Sequence, residues 1–343
     1  MSLAVELSRL RLLMARRGLR KDPTLELLLT DCWESKLMGI DFTGLRALAF
    51  SKRVYGFDFR ETVMLGRQEI HFWKEEYMAV RKNAKLDFEY DEAIELGQFA
   101  EPLFRKIGAQ NVTSVDAAGY EGASVIHDFN LPLPENLFGA FDTFVDFGSI
   151  EHVFNVAQAI HNIRSIVKVH GSILIVTIAN GFSGHGFYQY SPEFFYSVFS
   201  ERNGFGDTSV FLVDAARPKT WHFIKNPACL KRRNQIPFGK QFWIAVFSRK
   251  YSDTKKLEVI QSDYETAKWK TANYAHFEPW NQEQILKSRK FARRILNPYA
   301  YKAIAYARQA HNALTNYKKD CILMDPDTVD TDTFMKEIAA HAR

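Results

Sequence analysis

The chain has 343 residues, 46% of them apolar and 25% charged, with a formal net charge of +5. That composition belongs to a globular protein with room for a large core; it excludes a low-complexity chain, and the mild charge excess makes no case for a nucleic-acid partner. Three scattered cysteines, Cys32, Cys229 and Cys321, exclude a disulfide framework and fit a reducing, cytoplasmic setting, and no apolar run is long enough to span a membrane.

The elements follow in chain order. Residues 1–60 read as an N-terminal helical cap, with Leu3, Leu7, Leu10 and Met14 on one face of a basic amphipathic start. Asp22-Pro23 opens a second helix over Thr24–Leu29. Thr62–Leu65 is the candidate first strand and runs into Gly66. Residues 67–90 are mixed and rich in aromatics, and no period assigns them. Asp91–Ile107 has the pattern of a helix that buries Ile94, Phe99, Leu103 and Phe104, with Gly108 as its stop.

Three more strands follow: Val112–Val115 ending at Asp116, Ala123–His127 ending near Asp128, and Phe141–Val145 ending at Asp146. Val156, Ile160, Ile163 and Val167 mark one face of a helix, with Asn155 as its cap and Gly171 as its stop. Ile173–Ile178 is an unbroken apolar run, as suits a central parallel strand covered on both faces. Ser191-Pro192 opens another helix. Ser209–Val213 and Phe242–Phe247 are two further strands, joined by a long basic loop that carries Arg217 and Lys240. Residues 251–343 read as a C-terminal helical extension. The acidic tail Asp325, Asp327, Asp330 and Asp332 lacks the glycine and terminal glutamate of a calcium loop; it reads as solvated, and no metal site is expected.

Seven strands alternating with helices make an α/β domain over residues 61–250. Ligands in such sheets bind at the carboxyl ends of the strands. Those ends carry Asp116, Asp128 and Asp146, then Glu151-His152-Val153, and the Lys168-Val169-His170-Gly171 segment precedes Ile173. In this order the stretch resembles the class I S-adenosylmethionine-dependent methyltransferases of the small-molecule or glycan type. The resemblance covers about a hundred residues and implies a Rossmann-like seven-stranded sheet with N- and C-terminal helical additions.

It implies a site as well. Asp116 would accept the ribose hydroxyls of S-adenosylmethionine and Asp128 the adenine amino group, with Ala117 and Phe129 lining the pocket. Gly66 would stand for the cofactor loop. Asp146 or Ser149 would meet the amino-acid end. His152 and His185 are the candidate bases, since imidazole titrates near neutral pH. Glu151, Tyr188, Gln189 and Arg217 would meet a small polar acceptor, a sugar or glycan precursor being one class. His152 also reads as a structural side chain hydrogen-bonded under the sheet.

One feature departs from the pattern. The loop after the first strand, LGRQEIHF, has a single glycine, and 50 residues separate Gly66 from Asp116, where about 20 is usual. Either residues 67–90 are an insertion or the first strand lies elsewhere. A non-catalytic binding or scaffold protein on the same fold is the alternative that this departure supports.

Overall fold

The protein is described from a computed structural model covering residues 39–262 and 303–341, apart from 85, 95–97, 231–232, 235, 237–238, 305, 308–310, 312–313 and 318. The helices expected before residue 39 and the 263–302 part of the expected C-terminal extension lie outside the described residues. The sheet and its helices belong to one compact unit, Ile40–Arg343.

Among the described residues nine strands form one sheet. They are β1 (Glu61–Leu65), β2 (Asn111–Asp116), β3 (Val125–Ile126), β4 (Phe141–Phe147), β5 (Val167–Asn180), β6 (Phe205–Asp214), β7 (Trp221–Ile224), β8 (Phe242–Lys250) and β9 (Cys321–Met324), in the order β3-β2-β1-β4-β5-β8-β6-β7-β9. β3, β2, β1, β4 and β5 are parallel, and β8 lies antiparallel between β5 and β6. The 3-2-1-4-5 arrangement is the Rossmann order, with its switch point between β1 and β4. The fold is thus the Rossmann-like α/β sheet expected, with two strands added at the far edge.

The apolar run of β5 is explained by its two covered faces. Side chains alternate across a strand. Ile173 and Ile175 join the core that holds Ile160 and Ile163 of the helix Val156–Ile166. Leu174 and Val176 join the opposite core with Leu45, Leu48 and Phe50 of the helix Phe42–Tyr55. That second helix is capped by Asp41, whose Oδ1 accepts the Gly44 amide at 2.8 Å.

The first strand stands where the sequence places it, so residues 67–90 are the insertion. Lys74–Ala84 is a helix there. Tyr77 and Phe72 are fully buried, and the Tyr77 and Tyr90 hydroxyls donate to the Phe88 and Phe72 carbonyls. Mixed polarity hides this segment because its aromatics bury rings and still need polar partners.

Several expected elements differ. The helix over Asp91–Ile107 is broken into Tyr90–Ala93 and Glu101–Lys106. Pro102 is the reason: it lacks the amide that a continuous helix needs and takes the first turn of the second piece. The expected third strand shrinks to Val125–Ile126. The helix from Val156 ends at Ile166, not at Gly171, and the chain passes directly into β5. The carbonyls of Ser165 and Ile166 accept the amides of Gly139 and Ala140, so the helix end is satisfied without a glycine cap. Gly171 serves another purpose. A Cβ there would lie 2.8 Å from the Asp142 carbonyl oxygen, at the register shift between β4 and β5.

The long loop before β8 holds β7, which pairs antiparallel with β6, and β9 of the C-terminal segment pairs with β7. Asp330 and Asp332 of the acidic tail are exposed, as expected, but Asp327 is not solvated. Asp327 accepts from Nε of Arg46 at 3.0 Å, and the Arg46 side chain is wholly buried, its guanidinium 3.7 Å over the Phe42 ring. Arg53 donates to the carbonyls of Pro326 and Val329. Together these bonds clasp the segment after β9 to the helix Phe42–Tyr55.

Removing one partner of a buried ion pair leaves the other charge uncompensated, at a cost of roughly 3–5 kcal/mol. Asp327→Ala should therefore lower the free energy of unfolding by about that amount in a denaturant titration. An exposed control, Asp332→Ala, should change it by no more than ~0.5 kcal/mol.

Candidate functional site

The parallel register brings the strand ends to one edge. Leu65 of β1 lies opposite Val115 of β2 and Asp146 of β4, and Asp116 lies opposite Ile126 of β3. At the other half of the edge, Asn180 and Asp214 both pair with Phe242. Gly66, Asp116, Asp128, Asp146 and the loop after Asn180 therefore leave the sheet on the same side.

Asp146 organises the centre of this edge. It is fully buried, and its Oδ1 and Oδ2 accept the amides of Ser149 and Ile150 at 2.9 and 3.3 Å. The turn that follows β4 is thereby closed on the strand that feeds it. Ser149 Oγ donates to the Leu65 carbonyl at 3.0 Å, and Gln68 Nε2 donates to Ser149 Oγ at 3.1 Å. Gly66 has φ +71°, and a Cβ on it would fall 2.7 Å from Ser149 Oγ. The single glycine after β1 is required twice, for its left-handed backbone and for this close approach.

The acids flanking this centre are less buried. Asp116 uses Oδ1 to accept the Ala118 amide at 2.9 Å. Asp128 uses Oδ1 to accept the backbone and side-chain nitrogens of Asn130 at 2.8 and 2.7 Å, which holds its carboxyl below the usual range. Each acid turns its own loop and has a second oxygen for a ligand. Ala117 is exposed beside Asp116, whereas the Phe129 ring is buried against Phe144 and serves the core.

Beyond Asp146 the turn delivers Glu151 and His152. Glu151 is fully buried. Its Oε2 accepts from Thr177 Oγ1 of β5 at 2.7 Å, while Oε1 has no hydrogen-bond partner. His185, from the loop after β5, places Nε2 3.7 Å from Glu151 Oε1 and 3.3 Å from His152 Nε2. The two sequence-predicted histidines, 33 residues apart, are thus neighbours. The loop is pinned there because the Glu151 carbonyl accepts the amides of Phe187 and Tyr188, at 2.8 and 3.3 Å.

Electrostatics follow from burial. Asp146 is pushed well above the usual carboxyl range, by desolvation first and by Glu151 second. Glu151 is pushed up by desolvation as well. Both imidazoles are pushed down by desolvation, His152 further by the charge on His185. Neutral imidazoles at neutral pH are able to accept a proton.

The remaining candidates divide. The Tyr188 hydroxyl donates to the Phe154 carbonyl, and Gln189 Oε1 accepts the Phe182 amide, so both side chains shape the loop. Arg217 stands at the end of β6, bound through Nε and Nη2 to the buried Asp214, which also faces Lys240 at 3.7 Å. It shares the edge with the histidines but not their cluster. Sequence reasoning missed Thr177, Gln68 and Phe154. Thr177 carried a signal, the one hydroxyl within the Ile173–Ile178 part of β5. Phe154, exposed and edge-on to Phe187 at 5.6 Å, carried none.

No family model matches the chain, and no curated protein matches it. Solved structures do resemble it. A Burkholderia thailandensis 1,6-didemethyltoxoflavin N1-methyltransferase is 12% identical, with 65% of this chain and 82% of that one covered at a TM-score of 0.36. A possible histamine N-methyltransferase from Thermotoga maritima is 15% identical over 62% of this chain and 91% of that one, at 0.30. A branched-chain polyamine synthase from Thermus thermophilus is 13% identical over 65% and 59%, at 0.32. Likeness of this order says nothing about chemistry, and the fold stands on the strand order of the chain itself.

Two outcomes are expected of this geometry. Gly66→Ala should cost roughly 1–3 kcal/mol, because it adds a left-handed β-carbon and a clash with Ser149; urea unfolding measures it. A raised carboxyl pKa gives stability that is complete below the unfolded value, 3.8 for Asp146, and is lost as pH rises toward the folded one. As pH rises above about 4 the wild type should therefore lose stability relative to Asp146→Asn. A pH-independent difference in their melting temperatures would contradict the assignment.

Proposed function

We propose that the chain is an S-adenosylmethionine-dependent methyltransferase acting on a small polar acceptor, with a sugar or glycan precursor as the leading class. The observation that carries this reading is the common edge. Gly66, Asp116 and Asp128 leave the strands beside the switch point, and the Glu151–His152–His185 group lies one strand further along. Open α/β sheets bind nucleotides at that crevice.

The residues fit the donor in parts. The second oxygen of Asp116 suits the ribose hydroxyls, and that of Asp128 the adenine amino group. Ala117 adds no bulk between them. The Asp146–Ser149 turn borders the amino-acid end, where its hydrogen bonds hold the edge rigid. The donor, when bound, supplies a methyl group on a sulfonium sulfur. The protein's part is to align an acceptor oxygen or nitrogen with that carbon, exclude water and take the acceptor's proton. His152, exposed and shifted toward neutrality, is the group placed to receive the proton, and His185 lies at hydrogen-bond distance to pass it on. The serial aromatics Phe154, Phe187 and Tyr188 give the acceptor a stacking wall suited to a ring. Arg217 and Lys240, at the same edge, favour an acceptor with an anionic group. Cys229 and Cys321 are free thiols, in keeping with a cytoplasmic setting. Among the described residues no helix is long and apolar enough to cross a membrane.

A second reading has one observation behind it. Gln68 and Ser149 fill the turn at Gly66 with their own hydrogen bonds, as a non-catalytic relative would allow. Titration calorimetry with S-adenosylmethionine and S-adenosylhomocysteine separates the two. The enzyme reading expects both to bind, with Asp116→Ala weakening them at least ~10-fold, the order of a lost charged hydrogen bond. His185→Ala should keep that binding and lose ~10²–10⁴ in turnover once an acceptor is found. A folded wild type that binds neither ligand would leave the scaffold reading in place.

A further inference from the structure

We propose that Glu151, His152 and His185 form a mononuclear binding site for a first-row divalent cation, with Zn²⁺ the best match. The three ligand atoms all lie within 4.8 Å of one another, one from each residue. The geometry is specific. Two nitrogens bound to zinc at about 2.0–2.1 Å in a tetrahedron are ~3.3 Å apart. The Nε2 atoms of His152 and His185 are 3.3 Å apart. Glu151 Oε1 is 3.7 Å from His185 Nε2 and the set as a whole spans 4.8 Å, so the carboxylate and His152 would close by roughly 1.5 Å to complete a tetrahedron.

A second observation points to a ligand independently of that distance. Glu151 Oε1 is buried, has no hydrogen-bond partner and faces the imidazoles. A buried carboxylate oxygen left unpaired costs free energy unless a cation or donor meets it. Among the described residues no lysine or arginine pairs with Glu151, nor with its neighbour Asp146. Two buried acids thus have no lysine or arginine partner and face two imidazoles.

The surroundings are those of a prepared ligand set. Thr177 Oγ1 donates to Oε2 and so turns Oε1 toward the histidines. Partners of this kind orient metal ligands in known sites. The His185 loop is tied to the Glu151 backbone through Phe187 and Tyr188. Gly186, at φ +69°, lets it pass so close that a Cβ would lie 3.0 Å from Glu151. His152 is exposed, which leaves an entry path and an open coordination position. Two imidazoles and one carboxylate favour zinc, iron, cobalt or nickel over magnesium or calcium.

The open position would hold the acceptor's oxygen or nitrogen and lower its pKa. In that event the cation, not a free imidazole, activates the acceptor, and the proton leaves to solvent. This role rests on the methyl-transfer reading; cation binding does not.

The test uses the full chain without a histidine tag, stripped with a chelator and dialysed. Titration with Co²⁺ should give one equivalent bound, with the visible absorption of a tetrahedral or five-coordinate ion, and Zn²⁺ should displace it. His152→Ala, on an exposed side chain, and His185→Gln should each abolish the band while the far-ultraviolet circular dichroism is unchanged. Thr177→Val should weaken binding ~10–100-fold. A folded wild type with no stoichiometric Co²⁺ or Zn²⁺ would overturn the proposal, as would full retention in His152→Ala and His185→Gln. Neither result would touch donor binding, which calorimetry reads separately.

Discussion

The edge of this sheet depends on one buried carboxylate. Asp146 ends β4 and binds the amides of Ser149 and Ile150, and the turn that carries Ser149, Glu151 and His152 is placed by that closure. Ser149 is carried onto the Leu65 carbonyl, so the turn after β1 is held by the turn after β4. Glu151 and His152 follow within the same short 3-10 turn, where the sheet delivers them at fixed depth. A charged group in that position is costly by itself. Its backbone donors offset part of the cost, and the raised pKa records the remainder.

The sheet beneath is over-determined. β5 is covered on both faces, by one helix from before β1 and one from after β4. The far edge is extended by β7 and β9, and the Arg46–Asp327 pair locks the segment after β9 to the first helix. The loops at the carboxyl edge therefore sit on a rigid base. That division of labour, a packed sheet with functional groups on its loops, is general for α/β proteins. The cluster at Glu151 adds a cross-link between two such loops, through Thr177, the Glu151 carbonyl and the facing imidazoles.

How much of this is legible in the sequence depends on the range of each interaction. Local patterns are legible. The β-branched run of β5, the Asn155 cap and the Ser191-Pro192 start stand where the residues put them. Pro102 is a local signal too, but the apolar spacing around it points to a continuous helix and masks the break. Features closed over long separations are not legible. β9 pairs with β7 across about a hundred residues, and nothing local in Cys321–Met324 announces a strand. Asp327 reads as one of four solvated acids because its partner is 281 positions away. At the site, the acids and both histidines are visible as residue types at strand ends. Their convergence, and the unpaired Oε1 of Glu151, need the fold.

The strand ends around Gly66, Asp116, Asp128 and Asp146 should form a nucleoside-binding crevice, and amide hydrogen exchange with and without S-adenosylhomocysteine tests this most directly. Exchange should slow in the loops 66–69, 117–120, 127–130 and 147–150, with the far edge at β7 and β9 unchanged. No change in those four loops, or protection confined to the far edge, would contradict it.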